Sequence, residues 1–201
     1  NVRDYLSLKD SDDVIEYSGE DIDLIGWDIK KALTLHYKNN PNLREWLIST
    51  QVYIDNGIAD IFDDLGGFDK EVLKNYYLSM AQSHWKRYCG LKYQEEKVKK
   101  YLYVIRCILS WNLLNRGIDP PLSIQELINH PYANICDEKR IAVINLINHV
   151  QSGTEIGENT IFKLNNYILT SFKSMKSVKT YSLKDFDRYD ERFRQLLLIV
   201  R

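Results

Sequence analysis

Apolar residues alternate with polar ones near the start of the chain and then settle into a helical period. Val14-Ile15-Glu16-Tyr17 and Ile22-Asp23-Leu24-Ile25 are short alternating runs, and both are predicted to be strands. From Trp27 through Ile29, Ala32, Leu33 and His36 the spacing becomes that of a helix, which Asn39-Asn40-Pro41 stops. A second short helix is predicted over residues 42–49. From Phe68 onward the pattern is helical throughout. Residues 68–89 run to Gly90 and residues 95–116 to Gly117. Asp119-Pro120-Pro121 makes a rigid turn, and Ser123 with Glu126 forms a capping box for a helix over 123–129. Residues 137–152 close at Gly153, and 159–172 and 185–200 complete the set. The pattern predicts an α+β chain, mostly α: a small strand-containing start over 1–66, then a helical bundle over 67–201.

One helix carries cations in an otherwise apolar setting. Lys99-Lys100-Tyr101-Leu102-Tyr103-Val104-Ile105-Arg106 leads into Cys107, Ile108, Leu109 and Trp111. Burying a cation is costly unless it is paired or faces a cavity. Lys99, Tyr103 and Arg106 are four and three residues apart, so they share one helix face. A fixed Arg in a polar stripe suits a phosphate or a carboxylate.

Composition narrows the classes without choosing among them. The 201 residues are 44% hydrophobic and 27% charged, an ordinary globular balance, and the formal charge of −1 gives no global steering toward nucleic acid. The charge is uneven. Residues 1–24 hold two cations and eight acids, while 173–184 hold Lys173, Lys176, Lys179 and Lys184 and no acid. An acidic end and a basic segment could serve a metal and a polyanion, but two solvated surfaces are the plainer reading. Cys89, Cys107 and Cys136 lack the close spacing of zinc ligands and fit reduced thiols of a cytoplasmic protein. No apolar run reaches the roughly 18–20 residues of a membrane span, so no membrane partner is expected.

Several groupings carry potential chemistry. Asp21, Asp23 and Asp28 surround the predicted strand-to-helix turn. In a strand side chains alternate faces, so Asp21 and Asp23 are expected to point to the same side, and two such carboxylates can share a divalent cation. Asp28 also suits the helix N-terminus, and spacing alone favours that capping role. Tyr77, Met80, Ala81, His84 and Tyr88 form a stripe that reads as core before it reads as a base-stacking platform. Ser79 suits a phosphate contact or a bond back to its own helix. The four histidines are scattered, and no Ser/His/Asp order, glycine-rich phosphate loop or CxxC motif is present.

As a series the segments resemble the RNA-repair-associated nucleotidyltransferases of the polymerase-β superfamily, the RlaP type. The runs that carry the likeness are Tyr5-Leu6-Ser7-Leu8, Asp23-Leu24-Ile25-Gly26-Trp27-Asp28-Ile29-Lys30-Lys31-Ala32-Leu33 and Asn40-Pro41-Asn42-Leu43-Arg44-Glu45-Trp46-Leu47. Tyr76-Tyr77-Leu78-Ser79-Met80-Ala81 and the Lys99–Arg106 run follow in order. The likeness covers residues 5–106. It makes 1–66 the C-terminal part of a nucleotidyltransferase α/β core, its strands remnants of that core, and 67–201 the attached helical domain.

The resemblance implies an Mg2+-dependent transfer of a nucleotide from an NTP to an acceptor, with two magnesium ions activating the hydroxyl and the leaving pyrophosphate. It makes Asp23, in Ile22-Asp23-Leu24, the third metal-site carboxylate and the first catalytic candidate, with Asp28 second. Ser79, Lys99 or Lys100, and Arg106 become the phosphate-binding groups. The acceptors it admits include an RNA end, a tRNA, a protein side chain or a small molecule. Members carry a Gly-Ser motif and an Asp-x-Asp strand upstream of the Tyr-Leu-Ser-Leu run, and neither precedes Tyr5 here. The chain as written is therefore expected not to transfer nucleotides alone. The alternatives are a binding module for RNA or protein, and a toxin- or defence-type transferase.

Overall fold

The computed structural model describes residues 12–54, 57–89, 98–179 and 184–199. The Tyr5-Leu6-Ser7-Leu8 run, the stop at Gly90 and the helix start at Glu95 lie outside the described residues. Two compact units form. The first contains the described residues through Phe68 together with 184–199, and the second contains residues 69–179.

In the first unit, β1 (Val14–Ser18) and β2 (Asp23–Trp27) pair antiparallel, with Val14 opposite Trp27 and Ser18 opposite Asp23. The Gly19 N–H closes the turn onto the Ile22 carbonyl at 2.9 Å. β2 begins at Asp23, so Asp21 lies in the turn and strand alternation does not place it beside Asp23, contrary to the sequence expectation. Three helices follow: α1 (Ile29–Tyr37), α2 (Pro41–Leu47) and α3 (Ile58–Asp63). Asn39 turns the chain with φ of 56°, a left-handed conformation that asparagine tolerates better than most residues. Asn40 then caps α2, its Oδ1 accepting from the Asn42 and Leu43 N–H groups at 2.9 and 3.2 Å, with Pro41 in the first turn. Trp27 and Trp46 stack at 3.9 Å.

The last helix of the chain, α9 (Phe186–Ile199), belongs to this first unit. Sequence division at residue 67 assigned it to the helical bundle. The structure places it against α1 because Tyr189 completes the core of Ala32, Leu33, Leu43, Phe62 and Leu65. His36, 1% exposed, is ringed by Phe62, Phe68 and Tyr189. Its Nδ1 lies 2.6 Å from the Tyr189 hydroxyl and 3.3 Å from the Lys184 ammonium, which also donates to the His36 carbonyl at 2.7 Å. With two donors converging on it, Nδ1 is the acceptor, which assigns the ring proton to Nε2.

The second unit is built on α5 (Val98–Leu114), whose Tyr101, Val104, Ile105, Ile108, Leu109 and Leu113 are essentially sealed from solvent. Around it pack α4 (Lys70–His84), α6 (Ile124–Asn129), α7 (Asp137–Ser152) and α8 (Glu158–Ser174). A helix apolar on nearly every side is stable only when so enclosed. α4 runs on into a π-helical turn, Trp85–Cys89. The cation this core does bury is Lys74, which meets Glu71 at 2.8 Å and lies 6.0 Å from the Trp111 ring. Cys89, Cys107 and Cys136 are free, and burial pushes the Cys89 thiol up to about 11. Among the described residues no helix is long and apolar enough to cross a membrane.

Burial, and secondarily the Lys184 ammonium, lowers the His36 pKa from 6.5 to about 4. Above pH 6.5 the ring is neutral whether folded or unfolded. As pH falls from 6.5 to about 4 the unfolded chain takes up a proton that the folded chain refuses. Stability should therefore fall across that window, by about 3 kcal/mol in all, and level off below it. Urea unfolding from pH 7 to 4 checks this, and His36→Gln should flatten the slope; a slope unchanged by the substitution would show that other groups set it.

Candidate functional site

The residues singled out from sequence divide between the two units. In the first, Asp23 opens β2 as an exposed carboxylate that accepts a short hydrogen bond from the Ser18 hydroxyl. Asp28 is the N-cap of α1, its Oδ1 accepting from the Lys30 N–H at 2.8 Å, and its own N–H donates to the Asp13 carbonyl at 3.0 Å. The capping role is the one its hydrogen bonds describe. Among the described residues no group of three or more His, Cys, Asp or Glu side chains converges to hold a metal ion. The described residues thus build no complete magnesium site: Asp28 is used as the cap of α1, and Asp23 is exposed with the Ser18 hydroxyl on it.

The second unit gathers the cations and rings. Its site is made by the end of α4, the π-helical turn and the first turns of α5. Lys100 Nζ lies 5.0 Å from the Tyr88 ring centroid and 5.3 Å from that of Tyr103. Tyr103 stacks on His84 at 5.9 Å and 20°, and His84 also meets Tyr88 at 5.7 Å. The Arg87 guanidinium is 5.8 Å from the Tyr88 ring. Burial, then the charges of Lys100 and Arg87, lowers the His84 pKa, so the imidazole is neutral near pH 7. Its Nδ1 is buried and makes no hydrogen bond among the described residues.

This arrangement revises the reading of the Lys99–Arg106 run. Lys99 is exposed, Tyr103 is 49% exposed and Arg106 is half-buried, so the stripe lies at the surface and is not a set of buried cations. Of the two lysines left open by the sequence, Lys100 joins the aromatic cluster. Ser79 is exposed on α4, five residues before His84. Tyr77 and Ala81 are core, as their spacing suggested, at 2% and 0% exposure. His84, at the end of α4, and Tyr88, in the π-helical turn, are only partly buried, and π-helical turns recur at functional sites. Sequence reasoning passed over Arg87. The basic and aromatic alternation Trp85-Lys86-Arg87-Tyr88 was the signal available.

A cation held over two phenol rings, next to a neutral imidazole stacked on one of them, offers flat faces for a base and positive charge for phosphates. The chain matches the model of RlaP, the RNA repair pathway DNA polymerase beta family, over residues 1–197. The chain belongs to the RlaP family. The match extends well beyond residue 106, where the resemblance by motifs ended. The chain is also 32% identical over 200 residues to the uncharacterized protein YcgL of Bacillus subtilis strain 168, covering 96% of this chain and 75% of that protein. No solved structure matches the chain significantly. Of the cluster, Lys100 and Tyr103 lie in the Lys99–Arg106 run that carried the resemblance, while His84, Arg87 and Tyr88 lie outside the quoted runs.

Replacing Lys100 by Gln removes a cation that disfavours protonation of His84. The His84 pKa is expected to rise toward 6.5, read from its ring-proton shifts in an NMR titration; an unmoved value would place the Lys100 charge outside the cluster.

Proposed function

We propose that this RlaP-family chain contributes to nucleotidyl transfer from an NTP, with the α4–α5 cluster holding the nucleotide. The observation that carries the reading is the position of Lys100 over Tyr88 and Tyr103, inside a run by which the chain resembles the family. Lys100 supplies a point charge to the phosphates, Arg106 a two-pronged grip and Ser79 a hydroxyl. Tyr103 and His84 offer the base a stacking surface. Transfer forms a bond from an acceptor hydroxyl oxygen to the α-phosphorus and breaks the α–β phosphoanhydride, releasing pyrophosphate. Asp23 is the carboxylate we assign to the reacting end. The exposed apolar side chains of the hairpin, Ile15, Tyr17, Leu24 and Ile25, suit a strand pair that continues into a larger sheet.

Binding of a fluorescent ATP analogue to the 201-residue chain tests the cluster. Lys100→Gln and Arg106→Gln should each weaken binding roughly tenfold or more, since hydrogen bonds to charged groups carry such energies. Lys86→Gln, at an exposed position of the π-helical turn, should leave it unchanged. Equal affinity in all four proteins would overturn the assignment. Where transfer from an NTP labelled at the α-phosphorus is measured, Asp23→Ala should abolish it while sparing ATP binding.

RNA is the acceptor we favour, on the family's description and the exposed Lys173 and Lys176. Lys184 leaves that basic group, because its ammonium is spent on His36. Substituting Lys173 and Lys176 with Gln should reduce the salt dependence of RNA binding by close to two counterions. RNA binding insensitive to salt would remove RNA from the reading.

A further inference from the structure

A second polar cavity, of about 510 Å3, opens in the second unit where the segment before α7 faces α8. Asn134, Lys139, Arg140, Tyr167, Ser171 and Ser174 are among its lining residues. None of them belongs to the runs that carried the family resemblance, and the α4–α5 cluster does not use them.

The hydrogen bonds around this cavity sort its groups into those already committed and those still holding a proton to give. The Ser171 hydroxyl donates to the Tyr167 carbonyl at 2.8 Å, and the Ser174 hydroxyl donates to the Ser171 carbonyl at 2.8 Å. Thr170 donates to Asn166 Oδ1 at 3.2 Å. Three groups remain. Tyr167, which lines the cavity, is 3% exposed; the Ser171 side chain lies beside its hydroxyl but gives its proton to the Tyr167 carbonyl, and the phenol oxygen has no hydrogen bond of good geometry among the described residues. Arg140 Nε is buried without a hydrogen bond and pairs with the Asp137 carboxylate at 3.9 Å, and a terminal nitrogen donates to the Ile135 carbonyl at 3.5 Å. The Lys139 ammonium lies 5.5 Å from the Tyr167 ring centroid. α7 adds its first N–H groups, since its N-cap, Cys136, supplies no side-chain hydrogen bond.

The acids nearby do not neutralise this set. Asp137 is 97% exposed and only at long range from Arg140, and Glu138 is engaged by Lys163 at 3.0 Å. Burial raises the Tyr167 pKa, so the phenol keeps its proton at any ordinary pH and is available as a donor. Two cations, one buried phenol and a helix N-terminus, all donors whose internal acceptors are the long ones from Arg140 to Ile135 and Asp137, call for an oxyanion. A buried polar group without a partner is costly, and a ligand oxygen would relieve that cost.

We propose that the cavity between the α7 N-terminus and α8 is a phosphate-binding site, formed by Lys139, Arg140 and the Tyr167 hydroxyl, that takes the terminal phosphate of a nucleotide-sized ligand. The dianionic charge of a phosphate monoester matches the two cations. A volume of about 510 Å3 exceeds what a bare phosphate fills and falls in the range of small-molecule pockets.

Calorimetric titration of the 201-residue chain with inorganic phosphate, uridine 5′-monophosphate, uridine and acetate tests this. Binding is expected for both phosphates, tighter for the nucleotide, and absent for uridine and acetate. Tyr167→Phe removes one oxygen with little change of shape and should weaken phosphate binding roughly tenfold. It should also raise the melting temperature in phosphate-free buffer, because an unsatisfied buried hydroxyl is removed. Arg140→Gln should lower binding further still, with circular dichroism confirming that the variant is folded, whereas Lys86→Gln, at an exposed position outside both sites, should leave it intact. Phosphate binding unchanged in folded Tyr167→Phe and Arg140→Gln overturns the site. Acetate bound as tightly as phosphate overturns its class, and loss of phosphate binding in Lys100→Gln places the phosphate in the α4–α5 cluster instead.

Discussion

The enclosure of α5 is the constraint on which the second unit depends. From Val104 to Leu114 that helix gives its neighbours mostly apolar surface, with Arg106 and Asn112 half-buried. Its cations stand toward one end, at Lys99, Lys100 and Arg106, while Asn112 spends its amide on the Ala133 carbonyl. The same logic explains Lys74, the cation that does enter the core. It is tolerated there because Glu71 meets its charge at 2.8 Å.

The first unit is organised by a polar contact inside an apolar shell. His36 sits among Phe62, Phe68 and Tyr189, and its single lone pair takes the Tyr189 hydroxyl and the Lys184 ammonium. Those two donors come from the far end of the sequence. A contact spanning 153 positions is therefore what makes α9 part of this unit. It is also why the imidazole resists protonation: burial disfavours the charged ring, and a second cation is already beside it.

Both candidate binding surfaces follow one rule, that donors left over by the internal hydrogen bonds indicate what is to be bound. In the α4–α5 cluster the cation has rings beneath it and a neutral imidazole beside it, a combination suited to a base with its phosphates. In the cavity at α7 the hydroxyls of Thr170, Ser171 and Ser174 have spent their protons internally, leaving a phenol, a guanidinium and an ammonium. The first takes Lys100 and Tyr103 from a run that marks the RlaP family, and the second lies in a region that motif reading passed over.

Local signals made much of the chain legible. The strands at Val14–Ser18 and Asp23–Trp27, the Asn40 and Ser123 caps and the glycine stops at 117 and 153 follow from period and capping chemistry, which act within a few residues. The short helix Ile58–Asp63 escaped notice because six residues hold too little period to register. The sequence also marked the Lys99–Arg106 stripe, because residues three and four apart must share a helix face. It could not say that Lys100 would settle on Tyr88, since that depends on where the π-helical turn aims a ring from another helix. Nor could it join Lys139 and Arg140 to Tyr167, or return α9 to the first unit. Those pairings set distances across many residues of chain, and only packing in three dimensions fixes them.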